Sequence, residues 1–96
     1  MKLKVSSDAA KWFIEELDLE QGDFVQFFLK IYGGIPTVHP NYFLGMKVGQ
    51  QGNIFVKEEV EGINFFFTEE DSWFLEEYNM EVVKKDDEVE YLFHEV

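Results

Sequence analysis

The sequence predicts a mainly β fold of the α+β class, with about seven strands, a helix near the N-terminus and a second short helix. Three observations carry this. Short apolar runs, several alternating and several rich in aromatics, recur along the chain between turn residues. One early stretch has the spacing of an amphipathic helix face. Few helices intervene between the strands, which favours an antiparallel or mixed sheet, closed or folded on itself.

Lys2 to Val5 alternates polar and apolar residues and reads as a short strand. Ser6 or Ser7 then supplies a helix N-cap, and Asp8 complements the first-turn dipole. Ala10, Phe13, Ile14 and Leu17 fall at i, i+3, i+4 and i+7, which predicts a helix over about 7–17. Gln21-Gly22-Asp23 supplies turn chemistry. Phe24 to Tyr32 is the clearest strand, with Val25, Phe27, Leu29 and Ile31 on one face. The opposite face, Phe24, Gln26, Phe28, Lys30 and Tyr32, is mixed and expected to be partly covered.

Residues 33–41 hold both prolines and read as a loop. Tyr42–Val48 and Ile54–Val60 are expected strands joined as a hairpin through Gly49–Asn53, with Gly45 marking a bulge or close backbone approach. Glu61-Gly62 is a tight turn into the aromatic strand Ile63–Phe67. Thr68 is expected to cap a short helix anchored by Trp73, Phe74 and Leu75. Met80–Val83 and Val89–Phe93 complete the strands, with Lys84–Asp87 as the turn between them.

Composition narrows the function. The chain of 96 residues carries eight lysines, no arginine and twenty acids, for a net charge of −12. Nucleic acids and anionic membranes attract cations, so neither is an expected partner. No apolar run approaches the roughly 18 residues of a membrane span. The first residues lack a signal-peptide pattern, and a cytoplasmic location is expected. With no cysteine there is no disulfide, thiol nucleophile or thiolate-held cluster within the chain.

Four segments, in order, resemble the HesB-like domain of A-type iron–sulfur biogenesis proteins. Ser7-Asp8-Ala9-Ala10 is similar to that family's helix start. The strand Phe24–Tyr32 runs into Gly33-Gly34 as the family's long strand enters a glycine loop. Val60-Glu61-Gly62-Ile63 resembles its Val-Asp-Gly hairpin, and Leu75–Val82 follows its Leu-x-Gly-x-x-Leu/Ile-Asp-Phe/Tyr stretch, with Glu77 in place of the glycine. The resemblance implies one domain over residues 1–96, a compact β pseudobarrel with a packed helix. Gly34 stands where the family has its first cysteine, and the Cys-Gly-Cys segment is missing. The chain thus resembles a cysteine-free branch. That implies a non-catalytic accessory protein related to iron–sulfur biogenesis, with Gly33 and Gly34 at the family-loop position and no bound cluster.

Candidate sites are few. His39 could ligate iron or zinc, and His94 with Glu95 could join it through nitrogen and oxygen. The plainer arrangement is an exposed loop histidine and a solvated C-terminal strand end. No cofactor is expected, with iron or zinc as the alternative. The acidic runs lack calcium-loop spacing and read as solvated surface. Three serines in capping contexts give no nucleophile constellation, so no enzyme is expected. Phe65, Phe66 and Phe67 alternate faces in a strand, so at least one lies opposite the core. Phe66 or Phe28 is the expected contact residue for a protein partner or a second copy of the chain.

Overall fold

A computed structural model describes residues 2–31 and 42–96. In order they form β1 (Leu3–Val5), α1 (Ser7–Leu17), β2 (Phe24–Ile31), β3 (Tyr42–Val48), β4 (Ile54–Val60) and β5 (Ile63–Thr68). A 3-10 turn (Glu69–Asp71), α2 (Ser72–Glu77), β6 (Tyr78–Lys85) and β7 (Glu88–Glu95) follow. The fold is mainly β with two α-helices, of the α+β class. Among the described residues the strands pair as two open sheets, ordered β1-β6-β7 and β3-β2-β5-β4.

The expected hairpin of Tyr42–Val48 with Ile54–Val60 is not formed. β3 pairs with β2 and β4 with β5, both antiparallel. β2 and β5 pair parallel, from Phe24 opposite Asn64 to Gln26 opposite Phe66. This pairing separates β3 and β4 to opposite edges. Turn residues at Gly49–Asn53 are compatible with a hairpin, but the aromatic β5 gains more by pairing in the middle. All six of its residues are buried.

The segment 49–53 must therefore cross the sheet. It leaves Val48 beside Val25 and enters Ile54 beside Thr68. That is about 14 Å across three strand spacings and about 10 Å along them. Six steps at about 3.3–3.6 Å per residue leave little slack. Backbone hydrogen bonds pin both ends, Gly49 N–H to the Phe24 carbonyl at 2.8 Å and Glu69 N–H to the Asn53 carbonyl at 2.9 Å. Gly49 and Gly52 turn the chain with φ of 118° and 80°, values that side chains resist.

The first helix forms as its spacing predicts. Ser6 is the N-cap, accepting from the Ala9 N–H at 3.1 Å. Asp18 ends the helix in a left-handed conformation, φ 51°. The buried face, Ala9, Ala10 and Phe13, enters the core. Phe13 meets Phe27 edge-on at 6.0 Å and Phe65 at 5.5 Å, joining α1 to the paired β2 and β5. Trp12 donates from Nε1 to the Asp87 carbonyl at 2.8 Å, tying α1 to the β6–β7 turn. Leu3, Val5, Met80 and Val82 bring β1 and β6 into the same core. Tyr91 of β7 lies edge-on to Phe27 at 6.1 Å and spans the two sheets. Burial pushes its phenol up to about 12, so it stays neutral.

The second face of the four-stranded sheet is buried at its centre. Phe66 is fully buried there, edge-on to Phe24 at 5.9 Å. Phe28 lies across Gly45, where any Cβ would overlap its ring. The glycine is thus a close-approach position. Thr68 does not cap the following helix, and its hydroxyl is buried without a hydrogen-bond partner.

Two expectations test this packing. Phe13→Ala should cost about 3–5 kcal/mol, read from urea unfolding, because the ring joins helix and sheet. Unfolding unchanged in that variant would contradict the described core. Asp71 is buried, and desolvation holds its pKa above 3.8 despite a hydrogen bond from the Leu29 backbone; the Glu70 charge adds to the rise. The folded state therefore favours the protonated acid. Its contribution is fully present below 3.8 and is lost as pH rises through the higher folded value. Asp71→Asn should be more stable than wild type at neutral pH, with the gap closing as pH falls toward 3.8. A pH-independent difference in urea midpoint would refute that assignment.

Candidate functional site

The α2 helix begins with Ser72-Trp73-Phe74-Leu75. Three consecutive large apolar residues cannot share one helix face, since each step turns about 100°. Phe74 and Leu75 turn inward and are buried, while Trp73 turns outward and is 40% exposed. On β7, Phe93 stands opposite Met80 and is 44% exposed, near the strand end.

These residues form one aromatic surface. Phe74 is its buried floor. It meets Trp73 edge-on at 5.9 Å and Phe93 edge-on at 5.4 Å, and stacks on Tyr78 at 5.2 Å. The two edge-on contacts set ring edges against ring faces, and both these and the stacked pair are favoured beyond buried area. Exposed carboxylates flank the patch along the chain: Glu76 and Glu77 follow it on α2, and Glu95 pairs with Tyr78. Lys2 donates to the Leu75 carbonyl at 2.9 Å, and its ammonium lies 5.8 Å from the Phe55 ring centroid. This contact brings the 37% exposed Phe55 of β4 toward the end of α2. An aromatic centre with a charged margin is the anatomy of a protein interface.

The patch differs from the contact residues that the sequence suggests. Phe66 is enclosed and Phe28 is partly buried against Gly45. The missed signal is the Trp73-Phe74-Leu75 triplet on a short helix, which reads as anchoring residues until helix geometry sends Trp73 outward.

Gly33, Gly34 and His39 lie outside the described residues. His94 is exposed, with Nε2 3.2 Å from a Glu81 carboxylate oxygen. Glu95 follows His94 on the same strand, so the two side chains point to opposite faces. Among the described residues no three His, Asp or Glu side chains converge as a metal site. No helix among them is long and apolar enough to cross a membrane. Ion pairs Lys11–Glu61 at 3.5 Å and Lys85–Glu90 at 3.8 Å are exposed and add little stability.

Neither a family model nor a solved structure matches the chain. It is 37% identical, over 97% of both chains, to a Bacillus subtilis protein named pyruvate dehydrogenase inhibitor. It is 31% identical to an uncharacterized protein of Staphylococcus saprophyticus, over 95% of this chain and 97% of the relative. A Staphylococcus haemolyticus protein, also uncharacterized, is 30% identical over 95% of this chain and 96% of its own.

These findings correct the HesB-like resemblance. Relatives spanning nearly the whole chain lead to a named inhibitor, and no HesB-like family model matches. Two of the four segments behind the resemblance are a helix start and a two-residue hairpin. In the hairpin Glu61 and Gly62 both have positive φ, and in the cap Ser6 accepts from Ala9. Local backbone geometry selects such residues in many folds. The accessory role in iron–sulfur biogenesis falls with the resemblance. The chain belongs to the family of the Bacillus subtilis protein named pyruvate dehydrogenase inhibitor.

Proposed function

We propose that the chain inhibits a pyruvate dehydrogenase by binding it, acting as a regulatory protein and not as a catalyst. The carrying observation is the 37% identity to the named inhibitor over 97% of both chains. The reading treats residues 1–96 as one domain in the cytoplasm.

The aromatic surface supplies the means. Trp73 and Phe93 offer exposed apolar area above the buried Phe74. Tryptophan at the centre of a contact commonly carries a large share of binding energy. A net charge of −12 steers the chain toward a basic surface on its target and weakens that attraction in salt.

Purified chain titrated into Bacillus subtilis pyruvate dehydrogenase should lower its turnover in a saturable manner, and more weakly as salt rises. Trp73→Ala, folded as judged by circular dichroism, should weaken inhibition by about tenfold or more, roughly 1.4 kcal/mol. An enzyme rate untouched by excess chain would overturn the inhibitory reading. Full inhibition by Trp73→Ala would move the contact elsewhere on the molecule.

A further inference from the structure

The crossing segment 49–53 borders a half-open pocket of about 350 Å³ on the second face of the four-stranded sheet. Gln26, Lys47, Thr68, Glu69 and Glu70 line it, facing the backbone of 51–53. This volume falls in the range of small-molecule sites. Gln26 is 5% exposed and Thr68 is 4% exposed. The Gln26 Oε1 and Thr68 Oγ1 atoms are buried with no hydrogen-bond partner. Leaving such groups unpaired destabilises the fold. A simple covering of Phe66 would use apolar residues at both positions. The chain instead keeps an amide oxygen and a hydroxyl there.

The charges around these groups are divided. Lys47 is paired with Gln26 across β2 and β3, and its ammonium stands 5.8 Å from the Phe28 ring centroid. Glu69 and Glu70 follow Thr68, at the far end of β5. One cation borders the pocket from β3, and two carboxylates border it from the 3-10 turn. Gln26 Oε1 accepts hydrogen bonds, and the Thr68 hydroxyl donates or accepts. A ligand matching this set carries an anionic end and a cationic donor end.

We propose that this pocket binds a free amino acid, held by its carboxylate at Lys47 and by its ammonium toward Glu69 and Glu70, with Gln26 and Thr68 completing its hydrogen bonds. The inference does not rest on the inhibitory reading. Inhibition without amino-acid binding would sink this proposal alone, and binding without inhibition would sink the other alone.

The test is a titration of the full ¹⁵N-labelled chain with the common amino acids, each alone, followed by amide chemical shifts. Propionate and methylammonium serve as probes bearing one charge each. At least one amino acid should give saturable shifts centred on Gln26, Gly52, Asn53 and Thr68. The single-charge probes should bind at least about tenfold more weakly. Gln26→Leu and Thr68→Val should abolish the response while raising the urea midpoint, because each removes an unpaired buried group. Lys47→Gln changes an exposed residue and should weaken binding by about tenfold without disturbing the fold. Shifts from no amino acid, equal shifts from propionate, or a response unaltered in all three variants would overturn the proposal.

Discussion

The parallel pairing of β2 with β5 is the constraint on which the rest of the molecule depends. It places Ile63–Thr68 between two strands, with side chains buried on both faces. On the core face it stacks Phe27 with Phe65 at 6.0 Å, the surface that receives Phe13 of α1. The turn before β2 is latched to the turn before β5: Gly22 N–H donates to the Gly62 carbonyl at 2.8 Å, and Asn64 N–H to the Asp23 carbonyl at 2.9 Å. Parallel strands need a long connection, and here β3, the crossing segment and β4 all lie within it.

That pairing also explains both surfaces of interest. Because β5 is central, β3 and β4 become edges and the chain between them crosses the second face. The polar pocket is a consequence of that crossing. At the same C-terminal end of β5, beside that pocket, the 3-10 turn and α2 follow at once, so the chain leaves the sheet through Trp73-Phe74-Leu75. The aromatic patch then forms where α2 turns into β6 and meets the end of β7. One strand placement therefore positions the exposed aromatics and the covered polar groups on different elements.

Much of the fold is legible in the sequence, because its signals are local. The α1 face, the Ser6 cap and the Glu61-Gly62 turn follow from spacing and backbone preference, as does the alternation of β2. The order of strands does not. Gly49–Asn53 has the composition of a hairpin turn, and nothing local states that β5 will insert between β2 and β4. The buried second face is half-legible: Phe24, Gln26 and Phe28 predict a partial cover, but not which segment supplies it. The aromatic patch is hidden for a related reason. Trp73 and Phe93 lie 20 positions apart in sequence and meet only through Phe74. Family resemblance misleads where it rests on caps and turns, since those report backbone geometry and not ancestry.

The strand order is tested most directly by nuclear Overhauser contacts between backbone protons. The account predicts contacts between Val25 and Phe65 and their neighbours in a parallel pattern. It predicts none between the backbones of β3 and β4, which occupy opposite edges. Direct backbone contacts joining Tyr42–Val48 to Ile54–Val60 would contradict it, and with it the crossing over the second face.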